Sequence, residues 1–216
     1  MRNMPMQFWN EEQTKKSREL LNMLASSVDF VLIGGWAVYM YIRQQMSLGV
    51  DLAITYNSLE YFRKYGINDY KDMKVKYSIV NGVYVDLFIE DFSDKDLPVP
   101  VSTILKEYNI IEGIKVVDKE LLLLLKLWGY FRADEQKIRK DMLDVLGLML
   151  YGDIDLKKFK AYIDAYKVPK RRSVDVLLEY LDKRVQVENF IDISKKELHE
   201  RLKSYRMQLR RLFGYV

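Results

Sequence analysis

The stretch KVKYSIVNGVYVDLFI, Lys74 to Ile89, constrains the fold more than any other part of the chain. Two apolar-rich runs, Lys74 to Val80 and Val83 to Ile89, flank Asn81-Gly82. A two-residue link between antiparallel strands needs positive φ at both central positions, and Asn-Gly supplies this at low steric cost. The pair predicts a type I′ hairpin and commits the amino half to a sheet. Side chains alternate along a strand, so Val83, Val85, Leu87 and Ile89 form one face and Tyr84, Asp86 and Phe88 the other. Asp86 is a carboxylate among apolar neighbours. Burying it unpaired is costly, so it calls for a partner, a strand end near water, or a metal.

A second carboxylate stands in the same situation. Val50 to Ile54 (VDLAI) reads as a strand with Asp51 facing away from Val50 and Leu52. Upstream, Phe30 to Ile33 is a short apolar strand ended by Gly34-Gly35, and Trp36 to Gln44 resumes at helical spacing. A strand that ends in paired glycines and feeds a helix lets the backbone approach a ligand closely and aims unpaired amides at it, an arrangement that holds phosphate. Two acids on neighbouring strands invite magnesium, a hard cation that takes oxygen ligands.

Around these runs the amino half is filled by shorter elements. Asn10 followed by Gln13 suits a helix cap, with Leu20, Leu21 and Leu24 continuing to about Val28. Ser58 is placed to cap a short helix, Leu59 to Tyr65, ending at Gly66. Asp91 to Pro100, polar and holding two prolines, reads as a surface loop. Glu112-Gly113 predicts a second small hairpin joining Tyr108–Ile111 to Ile114–Val117.

From Asp118 onward the pattern turns helical. Asp118 is placed to cap Lys119 to Phe131. Ile138, Met142, Val145, Leu146 and Met149 make one stripe; Leu156 to Tyr166 follows, Pro169 interrupts, and Val174 to Val185 is another helix. In the last helix Ser194 and Glu197 form a capping box, and Leu198, Leu202, Tyr205, Leu209 and Leu212 make an apolar seam. That seam is covered either by the chain's own core or by a second copy in a homodimer. The class is α+β: a mixed sheet with flanking helices over residues 1–117, then a helical domain over 118–216 packed against it.

Composition narrows the chemistry. With no cysteine among 216 residues, disulfides, thiol nucleophiles and zinc-thiolate sites are excluded, which fits a cytoplasmic chain. The single histidine, His199, sits among charged residues and reads as a solvated surface group, so histidine metal clusters and histidine-based triads are excluded. The most hydrophobic run, Leu121 to Leu125, is far shorter than the roughly 20 residues that span a bilayer, and the start of the chain has no signal-peptide segment. No membrane partner is expected. The net charge of +4 permits mild attraction to polyanions.

Taken together, LIGGWAVYMYIRQQMSLGVDLAI followed by VYVDLFI resembles the DNA polymerase beta-like nucleotidyltransferase superfamily, especially its minimal and toxin-type members and the lincosamide nucleotidyltransferases. The matching residues are Gly34, Gly35, Trp36, Arg43, Ser47, Asp51 and Asp86. Further on, Lys126, Arg132, Lys140, Asp141 and Asp144 stand where the toxin-type relatives carry a lysine-bearing leucine-rich helix, an arginine and a Lys-Asp-x-x-Asp helix. The resemblance covers about Phe30 to Leu150. It implies magnesium-dependent transfer of a nucleoside monophosphate from a nucleoside triphosphate to a hydroxyl on RNA, a protein or a small molecule. It also implies the roles: Asp51 and Asp86 as catalytic metal ligands, Gly34 and Gly35 holding triphosphate through backbone amides, Ser47 bonding a phosphate oxygen and Lys126 reaching the same group. Asp141 and Asp144 are read as surface or helix-pairing residues.

One position departs from the family pattern. In SLGVD, Gly49 stands where the first aspartate of Asp-x-Asp belongs. Glu90 shares a face with Asp86 but lies about 13 Å along the strand, too far to join the same ion. The glycine marks a degenerate natural member, an engineered inactivation, or a site completed by an acid from the helical half. The competing reading is a non-catalytic module that binds nucleotide, nucleic acid or protein. For it, Lys195, Lys196, Arg201, Lys203, Arg206, Arg210 and Arg211 on the last helix, with Lys167 to Ser173, supply positive charge.

Overall fold

The computed structural model describes residues 11–44, 46–131, 135–182 and 194–215. The chain divides into two compact units, Met1–Asp96 with Pro100–Val117, and Leu97–Val99 with Asp118–Val216. The division near Asp118 falls where the sequence turns from alternating to helical patterning.

The first unit is a seven-stranded mixed sheet with helices. Its strands are β1 (Val31–Ile33), β2 (Val50–Ile54), β3 (Asn68–Asp69), β4 (Lys76–Val80), β5 (Val83–Ile89), β6 (Tyr108–Ile111) and β7 (Ile114–Val117), in the order β3-β4-β5-β2-β1-β7-β6. Both predicted hairpins form. Val80 pairs with Val83 across Asn81 (φ 52°) and Gly82 (φ 79°), and Ile111 pairs with Ile114 across Glu112 and Gly113. Asn and Gly visit the left-handed region at small cost, which fixes this turn and the register of the hairpin.

In the middle of the sheet β2 runs parallel to β5, so Val50, Leu52 and Ile54 lie beside Val85, Leu87 and Ile89. All six side chains are buried and form an apolar ladder on one face. Each fully buried aliphatic side chain contributes roughly 1.5–3 kcal/mol, so this ladder holds the two strands in a register that places the acids between them. Helix α1 (Glu11–Ala25) packs against β5, and α2 (Gly34–Ile42) packs on β1, β2 and β7. A short α3 (Tyr56–Leu59) runs into a 3₁₀ turn, Glu60–Tyr65, that ends at Gly66, and α4 is Val101–Ile104.

Several local expectations are revised. The cap of α3 is Thr55, whose hydroxyl accepts from the Ser58 amide, while the Ser58 hydroxyl itself donates to the Asp29 carbonyl. The short strand β3 was not expected; it has no alternation to read and is held by pairing with β4. Asp118 occupies the N-cap position of the helix that follows but makes no side-chain cap bond; its carboxylate pairs instead with Lys158 at 2.5 Å and accepts from the Tyr162 hydroxyl. Asn10 and the end of the Val174–Val185 helix lie outside the described residues.

The second unit is helical: α5 (Lys119–Trp128), α6 (Glu135–Tyr151), α7 (Leu156–Ala165), α8 (Val174–Asp182) and α9 (Lys195–Phe213). The Ser194 hydroxyl accepts from the Glu197 amide, as the capping box requires, and Gly214 ends α9 in the left-handed conformation. Leu198, Leu202 and Leu209 are buried, with Phe213 rather than Leu212 completing the stripe. That stripe lies against α7 and α8, so the seam belongs to the unit's own core. No helix among the described residues is long and apolar enough to cross a membrane.

Candidate functional site

Gly34 is the first residue of α2 and directly follows Ile33, which pairs with Asp51 across the antiparallel β1–β2 ladder. Gly34 has φ +67°, and a Cβ added there would lie 1.9 Å from Asp51 Oδ2 and 2.5 Å from its Cγ. Glycine is therefore required twice, once by the backbone and once because the Asp51 carboxylate occupies the space a side chain would take. The first amides of a helix have no acceptor within it, and at this start the N-cap residue, Ile33, provides no side-chain cap bond. The paired-glycine bend and Asp51 thus form one feature.

Asp86 completes it. On the parallel strands β2 and β5, Asp51 is the register partner of Asp86. Register partners point to the same face of a sheet, and adjacent strands lie about 4.8 Å apart. Both residues are half-buried. The Tyr70 hydroxyl donates to Asp86 Oδ1 at 2.6 Å. Burial, the bond to Asp86 and the negative charges of Asp86 and Asp51 all push the Tyr70 phenol well above its usual value, so it remains a donor.

Position 49 shares the Asp51 face but lies one pair further along. A Cβ on Gly49 would stand 3.2 Å from the Tyr84 carbonyl oxygen, and the backbone there is not in the left-handed region. A side chain at 49 needs a small shift of its neighbour and no change of backbone class. The Ser17 hydroxyl of α1 donates to the Leu48 carbonyl at 2.5 Å, tying this segment down immediately before the glycine.

The remaining expected site residues fall as follows. Gly35 and Ser47 are buried in the same unit. Trp36 is fully buried and meets Tyr39 edge-on, a core residue. Arg43, in the left-handed conformation at the end of α2, pairs with Glu112 at 2.6 Å; Arg18 reaches the same carboxylate at 2.5 Å, and the two guanidinium groups hold Glu112 below the usual carboxylate range. Glu90 donates its amide to the Ile54 carbonyl and lies four residues beyond Asp86.

Lys126 belongs to the helical unit. Its ammonium lies 2.9 Å from Asp141 Oδ1 and 2.7 Å from Asp144 Oδ2, and all three side chains are buried. Burial acts to lower the lysine's pKa, yet the two aspartates outweigh it and hold the pKa above its ordinary value. Asp144 moves up through burial, which the positive charge of Lys126 only partly offsets. Asp141 and Asp144 therefore pair α6 with α5 through Lys126; the alternative surface placement is wrong. Arg132 lies outside the described residues.

On α9, Lys195, Lys196, Lys203, Arg210 and Arg211 are exposed, as is His199. Arg206 is tied to Asp182, and Arg201 to Glu197 and the Leu150 carbonyl.

The donor set can be tested against magnesium. Mg²⁺ binds through one or two carboxylates together with substrate phosphates, and keeps water in its other positions. The Asp51–Asp86 pair beside an uncapped helix start fits one such ion. Among the described residues no group of three or more Asp, Glu or His is placed to hold a metal, so the three-carboxylate set that would hold two ions is not assembled there.

No family model and no curated protein matches the chain. Among solved structures, the crystal structure of JHP933 from Helicobacter pylori is similar with a TM-score of 0.48 and 19% identity, over 95% of this chain and 97% of that one.

Proposed function

We propose that the chain is a protein of the nucleotidyltransferase kind: it binds a nucleoside triphosphate with magnesium at Asp51 and Asp86, and Gly49 limits transfer of the nucleoside monophosphate to a hydroxyl. The observation that carries this reading is the pairing of Asp51 with Asp86 on one face, with Gly34 pressed against the Asp51 carboxylate. Mg²⁺ bound with a triphosphate neutralises charge that develops on the leaving pyrophosphate.

The protein's own residues position the substrate. Asp51 and Asp86 supply the anionic oxygens. Gly34 and Gly35 leave the first amides of α2 open to a phosphate oxygen, where the helix dipole favours negative charge. Tyr70 fixes the orientation of the Asp86 carboxylate by donating to its Oδ1. Glycine at 49 withholds the third carboxylate, which lowers the charge available to a second ion and so weakens catalysis more than binding.

The test is Gly49→Asp, measured beside the unsubstituted protein for magnesium-dependent nucleotide binding and for transfer. The substituted form is expected to bind metal-nucleotide more tightly and to gain transfer. If neither form binds any nucleoside triphosphate in the presence of magnesium, the reading is wrong.

A further inference from the structure

Three tyrosines flank the carboxylate pair, and one of them, Tyr70, donates to Asp86. Tyr70 follows β3, Tyr77 lies on β4 as the register partner of Asp86, and Tyr84 lies on β5 two residues before Asp86. Their rings form a row: Tyr70 and Tyr77 have centroids 4.7 Å apart at 40°, and Tyr77 and Tyr84 are 5.9 Å apart at 33°. The inner end of the row is anchored by the Tyr70–Asp86 bond. The outer end is open, with Tyr84 55% exposed and its register partner Ile79 43% exposed.

We propose that Tyr84, backed by Tyr77, forms a stacking platform for a nucleobase, adjoining the phosphate and cation site at Asp51 and Asp86. The inference rests on the proposed nucleotide site and names what lies beside it. Tyr77, Tyr84, Asp51 and Asp86 all belong to one face of the sheet, because Tyr77 pairs with Asp86, Tyr84 is two residues from it, and Asp51 pairs with it. Along β5 the step from Asp86 to Tyr84 is about 6.6 Å, a separation that the sugar of a nucleotide bridges between its phosphate and its base. Every nucleobase has a π-face, and stacking on aromatic side chains tolerates any base, so the platform confers affinity without a strong base preference. Tyr77, held between Tyr70 and Tyr84, backs the Tyr84 ring and reduces the freedom that ring would lose on receiving a base.

The base comes either from the donor nucleotide or from the end of an acceptor strand, and binding measurements separate the two. Calorimetric titrations would use ATP with magnesium, inorganic tripolyphosphate with magnesium, and a single-stranded oligoadenylate, on the full chain and on Tyr84→Ala and Tyr84→Phe. Tyr84→Ala is expected to weaken ATP or the oligonucleotide about tenfold, the order of one stacked base, and to leave tripolyphosphate unchanged. Tyr84→Phe keeps the ring and is expected to keep the affinity. A loss confined to ATP assigns the platform to the donor, and one confined to the oligonucleotide assigns it to the acceptor. Unchanged affinity of Tyr84→Ala for every probe overturns the platform while leaving the phosphate site standing, and an equal loss for tripolyphosphate overturns it by revealing a general structural effect. Failure of the unsubstituted protein to bind both ATP and tripolyphosphate removes the phosphate site and the platform with it.

Discussion

The Asp51 carboxylate fills the volume that a side chain on Gly34 would occupy, 1.9 Å from the position of its Cβ. Gly82 provides the comparison: it too has positive φ, +79° against +67°, but nothing lies within 4 Å of an added Cβ. Gly82→Ala is therefore expected to cost about 1 kcal/mol, the left-handed penalty alone. Gly34→Ala adds a clash with a carboxylate and is expected to cost about 2–4 kcal/mol. Chemical denaturation of both variants, and of Gly34→Ala combined with Asp51→Ala, gives the coupling directly. The second substitution should recover part of the loss; strict additivity would mean the two residues do not compete for space.

Lys126 offers a stability test of a different kind. Removing it leaves Asp141 and Asp144 buried without their cation, so Lys126→Met is expected to lose about 3–5 kcal/mol. Because the lysine's pKa is raised in the folded state, its contribution is fully present below the ordinary value of about 10.4 and fades only as pH rises above it. Stability of the unsubstituted protein relative to Lys126→Met should thus be flat from neutral to mildly alkaline pH and fall beyond. A difference under 1 kcal/mol at neutral pH would show that the two aspartates do not depend on this ammonium.

Tyr70 is open to spectroscopy. The difference between alkaline absorbance titrations of the unsubstituted protein and Tyr70→Phe isolates one phenol among 16 tyrosines. Burial and the bond to Asp86 are expected to place its midpoint above the ordinary value of about 10, and Asp86→Asn should bring it down. The raised value means that any stability from this phenol is complete below pH about 10 and is lost as pH climbs through the folded midpoint. A midpoint at or below 10 in the unsubstituted protein would contradict the hydrogen bond.

What the sequence made legible, and what it hid, follows from range. Asn81-Gly82 specified its own turn, and Val50 to Ile54 emerged as a strand with the limits read from its composition, because both signals are local. Alternation showed that Asp51 and Asp86 each leave the apolar face, yet only the β2–β5 register makes them neighbours, and no local pattern encodes a parallel pairing across more than thirty residues. Gly34 was legible as a bend and not as a contact with Asp51, which arrives from the next strand. Alternation put Tyr84 on the Asp86 face, but the row it forms with Tyr70 and Tyr77 depends on the β4–β5 register and on Tyr70 reaching Asp86 from beyond β3. Thr55 took the cap assigned to Ser58, since both residues suit a cap and the choice depends on Asp29 accepting the Ser58 hydroxyl. The resemblance cast Lys126 in its leucine-rich helix as a phosphate ligand, and its engagement with Asp141 and Asp144 required the pairing of α5 with α6.

The most direct test of the central claim is calorimetric binding of ATP with and without magnesium to the unsubstituted protein, Asp51→Asn and Asp86→Asn. The unsubstituted protein is expected to bind ATP with an affinity that falls about tenfold or more when magnesium is chelated, and each asparagine variant is expected to lose that magnesium dependence while remaining folded. Affinity indifferent to magnesium in the unsubstituted protein, or a magnesium effect that survives in both variants, would contradict a cation site at Asp51 and Asp86.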